Sequence, residues 1–419
     1  MKIGVFAASS QSGRAYLADF ANQGHSVYGY CRPSEHGKQF ISAIKENKGI
    51  LLKRPKENKN KENPCILIPL ENFRIGSSLE ELIEHSEIII MAEPSIYFLE
   101  SIISLEKAGI SKKKIPIILS PCRTMLVPQL WKVLGEGYPF VCFSTCAYSC
   151  KAPEDAVSYI KRRKRVWIAS LEGDIGEKDF SKLELLFPQC IWSRIPAVTS
   201  LGNIGMVFHP ATYLLNYEAI VQAEKAGQDY SFYMEGIANA PQVGITLEKI
   251  DAIRLEIARQ IGIKVLQPGK ATDESEWNAI MDELYTHEKN WEQNIVKLRA
   301  VRREHLSKIS SMVVGTQFWL DYTYGVKRIV NEPLYKAIGR TPTYQKMSVA
   351  QKRYIEEDVP TGLLPLYKLG KYFKLDVSIL EELLQKYCNI ENKNFTDFID
   401  AYGEITEGII NYLRGSENN

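Results

Sequence analysis

The 419-residue chain lacks several features that would place it outside the ordinary globular proteins. It has no run of about 20 consecutive apolar residues, the length that a helix needs to cross a bilayer. Its N-terminal apolar run, KIGVFA, is too short for the apolar part of a signal peptide and leads directly into a helical pattern. We therefore expect a cytoplasmic protein that does not interact with a membrane.

The spacing of the cysteines and the distribution of charge also exclude several kinds of site. The eight cysteines show no framework spacing and include no Cys-x-x-Cys pair. Cys142, Cys146 and Cys150 recur every four residues, but without such a pair we expect buried thiols and no metal. The net charge is only +2, and no basic block is interleaved with aromatic residues, so we expect no nucleic-acid partner.

The apolar pattern changes about halfway along the chain. Near-continuous apolar runs such as 87–92 and 140–144, with helical patterns between them, are typical of a parallel sheet covered on both faces. From about Ser200 the spacing becomes helical and strand patterns almost vanish. We predict an α/β Rossmann-type domain with a parallel sheet over residues 1–198, followed by an all-α domain over residues 199–419.

The first strand and helix have the layout of a dinucleotide-binding turn but few of its glycines. Read as GxGxxG, the three positions hold Ala8, Ser10 and Gly13, all of them small. Small residues let the backbone approach a pyrophosphate at a helix N-terminus, where N–H groups and the helix dipole favour an anion. The missing glycines keep open an α/β domain that binds no nucleotide. The predicted cofactor-binding residues of this region are Ala8, Ser9, Ser10, Gln11, Ser12, Gly13 and, after a later strand, Ala92.

No carboxylate follows the second strand, where enzymes that use NAD usually place an Asp or Glu for the ribose hydroxyls. The chain has Arg32 there, and Lys38 follows at the start of the next helix. A guanidinium pairs with a phosphate through forked, charge-assisted hydrogen bonds. We therefore predict NADPH as the cofactor, with Arg32 and Lys38 on its 2′-phosphate. For either residue alone, the alternative is an ordinary surface cation.

His209 is the most informative residue that is present. It precedes Pro210 within TSLGNIGMVFHPATYLLNYE (199–218), just past the end of the nucleotide-binding pattern. Imidazole exchanges protons near neutral pH, so a histidine at this boundary could exchange a proton while hydride moves. On position alone, the alternative is a core or helix-start histidine whose ring is already satisfied.

Three stretches resemble the opine dehydrogenases, more narrowly the branch that makes opine metallophores such as staphylopine and pseudopaline. They are residues 32–38, ILSPCRTMLVPQLWKVLGEGYPFVCFSTCAYSCK (118–151) and GNIGMVFHPATYLLN (202–216). A fourth, RYIEEDVPTGLLPLYKLGKYF (353–373), is similar to an acidic motif of the wider family. The resemblance implies an NADPH-dependent homodimer that joins a 2-keto acid, pyruvate or 2-oxoglutarate, to an amino-acid-derived, nicotianamine-like amine. That step would be the last one of metallophore biosynthesis.

The resemblance also implies roles for single residues. His209 matches the catalytic histidine of the family, Asp358 its helical-domain aspartate, and Asn203 its first asparagine. A protonated His209 would polarise the keto oxygen and assist its loss as water, while the nearby carboxylate holds the ring. For Asp358 the alternative is a helix N-cap before Pro360.

Two departures from the family bear on the substrate. Where the staphylopine enzymes carry an acidic residue for the amine, FSTCAYSCK (143–151) has Ser149 nearest that place, which predicts a different amine. Arg123, in PCRTM, replaces a glycine-containing form and could contact a carboxylate, or it could simply be exposed in a loop. The predicted substrate-binding residues are Asn203, Ser149 and Arg123.

Two other functions stay open at this point. One is a related Rossmann-plus-helical reductase of a 2-hydroxy acid or of ketopantoate. Such reductases usually rely on a lysine in the helical domain, where this chain offers a histidine. The other is a nucleotide sensor that kept the fold and lost catalysis, which the glycine-poor turn favours.

Overall fold

The computed structural model describes residues 1–55, 64–122, 125–164, 167–288 and 295–415. The chain divides into two compact units: unit 1 contains Met1–Cys122 and Leu126–Arg194, and unit 2 contains Arg123–Met125 and Ile195–Asn419. Within the described ranges, no helix is both long enough and apolar enough to cross a membrane.

Unit 1 is built around a large sheet. The strands of this unit are β1 (Lys2–Phe6), β2 (Ser26–Tyr30), β3 (Gly49–Lys53), β4 (Cys65–Pro69), β5 (Phe73–Gly76), β6 (Ile88–Met91), β7 (Ile117–Leu119), β8 (Phe140–Phe143), β9 (Tyr148–Lys151), β10 (Val157–Arg163), β11 (Trp167–Glu172) and β12 (Cys190–Ser193). The large sheet has the order β12-β11-β8-β7-β6-β1-β2-β5. Neighbouring strands are parallel except for the antiparallel pair of β8 and β11. Ligands of such sheets bind at the carboxyl ends of the strands, where the strand order reverses beside β1.

The helices of unit 1 begin at residues suited to capping. They are α1 (Gln11–Asn22), α2 (Glu35–Glu46), α3 (Leu79–His85), α4 (Phe98–Lys107), α5 (Val127–Leu134) and α6 (Glu177–Leu186). Ser10, Ser34 and Ser78 precede α1, α2 and α3, and each hydroxyl accepts a hydrogen bond from the backbone N–H three residues later. These caps satisfy N–H groups that a helix otherwise leaves without partners.

A second sheet in unit 1 was not expected from the sequence. It has the order β4-β3-β10-β9 and is antiparallel except between β3 and β10. The hydroxyl of Tyr148 in β9 donates to the carboxylate of Asp19 in α1 at 2.7 Å, which ties this sheet to the first helix. The partner strands lie far apart in the sequence, so no local pattern announces this sheet.

Unit 2 is helical, and the predicted fold class is confirmed. Its helices are α7 (Pro196–Leu201), α8 (Gly205–Leu215), α9 (Tyr217–Lys225), α10 (Pro241–Ile261), α11 (Ala271–Glu288), α12 (Ile295–Ile309), α13 (Thr316–Tyr324), α14 (Leu334–Gly339), α15 (Arg353–Glu356), α16 (Leu364–Tyr372), α17 (Ser378–Ile390), α18 (Phe395–Asp400) and α19 (Glu407–Arg414). One difference from the all-α prediction is a short parallel pair, β13 (Lys264–Leu266) and β14 (Met312–Val314).

A buried ion pair connects three segments of unit 2. The Arg254 side chain is fully buried and contacts Asp251 Oδ1 through Nε and Nη2, at 2.9 and 2.6 Å. It also donates to the carbonyls of Leu201 and Val314. Asp251 Oδ2 in turn accepts from the Thr316 N–H at 2.8 Å. Every member of this network therefore depends on one guanidinium.

We expect Arg254→Met to lower the free energy of unfolding by about 3–5 kcal/mol, because it leaves the Asp251 charge buried without its partner. The free energy is to be measured by urea unfolding of the intact chain at pH 7, followed by tryptophan fluorescence.

Arg259→Met, on the same helix, is the matched control, since Arg259 is 30% exposed and pairs with Glu256 at the surface. That change should cost about 0–1 kcal/mol. Equal losses in the two variants would contradict a special role for the buried network.

Candidate active site

His209 lies near the middle of α8, with Pro210 inside the same helix. It is thus not a helix-start residue. Its side chain is 23% exposed, while the neighbouring Phe208 and Ala211 are buried in the core of unit 2. The core anchors the helix and leaves part of the imidazole accessible.

Asp358 supplies the partner of this ring. Its carboxylate is 2% exposed, and Oδ2 lies 2.7 Å from His209 Nδ1, although 149 residues separate the two. Asp358 precedes a π-helical turn, Val359–Leu363, and makes no side-chain capping bond there. Asp358 therefore stands at the N-cap position of this turn without capping it, and the structure brings both predicted catalytic residues together.

The contact between His209 and Asp358 determines which ring nitrogen can exchange a proton with a substrate. A carboxylate accepts a hydrogen bond, so Nδ1 carries a proton toward Asp358. Nε2, on the other side of the ring, is then the atom that can exchange a proton with a substrate. This is the arrangement in which a carboxylate orients a histidine for acid–base work.

Aromatic side chains enclose the imidazole, a feature that the sequence reasoning missed. The Tyr354 ring stacks on His209, with centroids 4.3 Å apart and an 18° angle between planes. Phe232 meets the same ring edge-on at 6.2 Å and contacts Tyr354 at 4.8 Å. Tyr354 lies four residues before Asp358, so α15 stacks on one face of the ring, and Asp358, two residues past the end of α15, supplies the carboxylate.

Asn203 lies just before α8 and is 7% exposed. Its Oδ1 accepts from the Gly205 N–H at 3.1 Å, so its amide shapes the entry into the helix that carries His209. Asn216, at the other end of α8, bonds the Thr212 and Gly236 carbonyls. Both asparagines of the sequence motif thus hold backbone in place.

The predicted nucleotide turn of unit 1 assembles around the β1–α1 connection. A Cβ on Gly13 would lie 2.1 Å from the Ala7 carbonyl oxygen, so this position requires glycine. The hydroxyls of Ser10 and Ser12 donate to the Ala92 carbonyl at 2.6 and 3.0 Å. The turn is therefore joined to the end of β6.

These contacts change the expected role of the serines. Because their hydroxyls bond Ala92, the groups left for a pyrophosphate are the backbone N–H groups at the N-terminus of α1. Arg14 and His36 both bond the Ser9 carbonyl, and the Gln11 amide donates to the Cys150 carbonyl. The close, small-residue turn before a 12-residue helix fits a dinucleotide.

Arg32 follows β2 as predicted but has a partner that the sequence reasoning missed. Its Nη2 donates to Glu93 Oε2 and to Ser101 Oγ, each at 2.7 Å. The guanidinium also lies over the Tyr97 ring at 5.3 Å. Lys38 lies on an exposed face of α2.

The Glu93 carboxylate is 4% exposed and also accepts a hydrogen bond from the Ser101 hydroxyl. Burial raises the pKa of Glu93 to about 7, against the lowering effects of the Ser101 hydrogen bond and of the Arg32 charge. Arg32 is therefore held in one orientation by a group that titrates near neutral pH.

Of the two other predicted substrate residues, the structure describes only Ser149. Ser149 is half-buried in β9, where its register partner is Arg162. Arg123 lies outside the described residues.

Comparison with known proteins identifies relatives of this chain. Residues 195–390 match the family model of the NAD/NADP octopine/nopaline dehydrogenase alpha-helical domain. An opine dehydrogenase of Arthrobacter sp. (strain 1C) is 22% identical over 391 residues, which are 91% of this chain and 89% of that protein.

Two solved structures share the fold. Octopine dehydrogenase in complex with NADH and agmatine has a TM-score of 0.67 at 14% identity, covering 100% of this chain and 99% of that one. Yersinopine dehydrogenase with bound NADP+ has a TM-score of 0.56 at 13% identity, covering 98% and 95%. Residues 195–390 thus resemble the helical domain of the octopine/nopaline dehydrogenases, and the chain as a whole shares the fold of these two dehydrogenases.

Glu93 should make the free energy of unfolding depend on pH. The carboxyl titrates near 4.5 in the unfolded chain and near 7 in the folded one, so between these values the folded state binds more protons. Stability therefore falls as pH rises through this window. Glu93→Gln removes this titration. Between pH 4.5 and pH 7.5, we expect the free energy of unfolding of Glu93→Gln to rise by about 3 kcal/mol relative to that of wild type. Urea unfolding of both proteins across this range measures the gain.

Glu100→Gln, which removes an exposed carboxylate of α4, is the control for the loss of a negative charge. A Glu93→Gln profile that runs parallel to the wild-type profile would overturn the assignment.

Proposed function

We propose that this protein is an NADPH-dependent opine dehydrogenase, which joins a 2-keto acid to an amino-acid-derived amine and reduces the product. The observation that carries the proposal is the 2.7 Å contact between His209 and Asp358. It lies within the part of the chain that matches the octopine/nopaline dehydrogenase helical domain.

The reaction needs one group that moves protons at the reacting carbon. The amine nitrogen attacks C2 of the keto acid, and the adduct loses its former keto oxygen as water to give an imine. Nicotinamide, when bound, supplies the hydride that reduces the imine carbon. The sum consumes keto acid, amine, NADPH and one proton, and it yields the secondary amine, NADP+ and water.

His209 is suited to the proton steps of this scheme. Its Nε2 can donate to the departing oxygen, because Asp358 holds Nδ1 and stabilises the imidazolium that must first form. Tyr354 fixes the plane of the ring by stacking on it. The contact residues therefore hold the imidazole in one orientation before any substrate arrives, which lowers the entropy cost of the reaction.

The choice of NADPH rests on Arg32 and Lys38. Arg32 bonds Glu93 and Ser101 through Nη2, so the N–H groups of Nε and Nη1 are the donors left for a 2′-phosphate. The β1–α1 turn would hold the pyrophosphate through the backbone N–H groups of α1. No step of this binding needs a metal.

The class of the amine substrate is inferred from sequence similarity. We place it in the nicotianamine-like class, as the last step of metallophore biosynthesis, on the similarity of residues 32–38, 118–151 and 202–216 to that branch. Ser149, in place of an acidic residue, argues for an amine that differs from the one used by the staphylopine enzymes.

The test is NADPH oxidation by the purified protein with pyruvate or 2-oxoglutarate and a panel of amino acids and nicotianamine-like amines. We expect turnover with at least one pair. His209→Asn should lower kcat at least 100-fold, since general acid catalysis contributes about that much or more. Its affinity for NADPH should stay within twofold of wild type, as measured by fluorescence titration.

Asp358→Asn is the companion variant, because it keeps the shape of the side chain but removes the charge that stabilises a protonated His209. We expect a smaller loss of kcat, about tenfold or more, by the same reasoning. Tight NADPH binding without turnover of any pair would favour the sensor, and full activity of His209→Asn would exclude this mechanism.

Cofactor choice gives a second test. Arg32→Ala should raise the Kd of NADPH by about 10- to 100-fold, because a charge-assisted hydrogen bond contributes about 1.5–3 kcal/mol. The Kd of NADH should change little, since NADH has no 2′-phosphate. Both constants can be measured by fluorescence titration at one fixed salt concentration.

Arg74→Ala is the matched control: Arg74 lies on the neighbouring strand β5, is 60% exposed and pairs with Glu81. It should leave the ratio of the two constants unchanged. An unchanged ratio in Arg32→Ala as well would count against the phosphate clamp.

A further inference from the structure

Lys164 is a cation of unit 1 to which the chemistry described so far gives no role. It directly follows β10, and its ammonium group donates to the Thr145 hydroxyl. Its backbone N–H donates to the Ala147 carbonyl at 2.8 Å. Burial lowers the pKa of Lys164 to about 8. The side chain is thus fixed in place in surroundings that oppose its charge.

Three buried cations in the described part of the chain have carboxylate partners, whereas Lys164 is partly buried. Arg14 pairs with Asp155, Arg254 with Asp251, and Arg328 with Glu274, at 3.3, 2.6 and 2.6 Å. Lys164, by contrast, has no carboxylate partner within the described part of the chain. Burial opposes a charge that has no partner of opposite sign, and residues with such shifted pKa values are concentrated at functional sites.

The neighbouring thiol does not supply the missing negative charge. Cys146 is close enough for the Lys164 charge to act on it, but burial raises the pKa of the Cys146 thiol above its ordinary value. The thiol is therefore neutral near pH 7. An anion at Lys164 must then come from a ligand.

The position of Lys164 indicates which ligand. Thr145 lies just past the carboxyl end of β8, on the edge of the sheet where Ala92 follows β6 and Ser120 follows β7. Arg32 lies past the end of β2, on the opposite side of β1. A dinucleotide whose phosphate end is at Arg32 extends its reacting half toward β6, β7 and β8.

We propose that Lys164, oriented by Thr145, binds a carboxylate of the substrate at this edge of unit 1. The inference rests on the proposed function, in which both substrates are carboxylic acids. A carboxylate there would neutralise the ammonium and accept the hydrogen bonds that Thr145 does not use. The keto acid and the amino-acid-derived amine are the two sources of this group, and the experiment separates them.

The test compares Lys164→Met with Lys164→Arg. We expect Lys164→Met to raise the KM of one carboxylate substrate at least tenfold, with kcat within threefold and the NADPH Kd within twofold of wild type. Lys164→Arg should keep part of the affinity, because it keeps the charge. Lys161→Met, an exposed lysine of β10, is the control and should behave as wild type.

A second readout does not depend on turnover. Oxamate, a pyruvate analogue that is not reduced, is titrated into the NADPH complex and followed by NADPH fluorescence. A tenfold loss of oxamate affinity in Lys164→Met identifies the keto acid as the source of the carboxylate. A raised KM for the amine alone, with oxamate affinity intact, identifies the amine. If Lys164→Met does not fold, Thr145→Val, which removes only the orienting hydroxyl, should give a weaker change of the same kind.

Two results would overturn the inference: folded Lys164 variants with unchanged KM values and oxamate affinity, or a loss of NADPH affinity alone. Failure of the proposed function has a different signature, in which wild type turns over no pair. Oxamate binding that depends on Lys164 would then still support a carboxylate-binding site at this residue, although the protein would not catalyse the proposed reaction.

Discussion

The contact between His209 Nδ1 and Asp358 Oδ2 is the constraint on which the candidate chemistry depends. A carboxylate that is 2% exposed is tolerated only with partners, so the fold of unit 2 must bring α8 and the π-helical turn after Asp358 to the same place. Tyr354 also orients the imidazole, because its ring stacks on His209 and prevents the imidazole from turning away. Orientation is thus supplied by the core of the unit and not by a flexible loop.

Arg32 and Lys164 both lie near the carboxyl edge of the large sheet of unit 1, but their charges have different partners. Arg32 has a buried carboxylate partner, so its net attraction for an anion is reduced while its geometry is fixed. Lys164 has a hydroxyl partner, so its charge remains uncompensated. Under the proposed function, the choice between NADPH and NADH would depend on the balance between Arg32 and Glu93, and not on Arg32 alone. An arginine after the second strand is a weaker indicator of NADPH than its position suggests.

The sequence predicted the elements better than the contacts between them. Apolar runs and capping serines are local signals, so the α/β and helical parts could be read directly, and the family resemblance paired His209 with Asp358. The partner of Arg32 could not be predicted, because Glu93 lies 61 residues away and follows β6, which pairs with β1, the neighbour of β2. The second sheet of unit 1, in which Ser149 lies on β9, depends on similar long-range pairing. Side-chain partners of this kind follow from strand order, which no local pattern encodes.

The glycine-poor turn, which favoured a domain without a nucleotide, has a physical explanation in the structure. What a dinucleotide needs is space near the backbone, and in the β1–α1 turn Gly13 stands where a Cβ cannot fit. Gly29 on β2 would bring its Cβ to 3.0 Å from that of Ala8, so a glycine on the neighbouring strand makes room for alanine in the turn. Ser10 and Ser12 fasten the turn to Ala92 through their hydroxyls, which glycines could not do. The missing glycines are thus compensated by residues outside the motif, and they give no support to the loss of nucleotide binding.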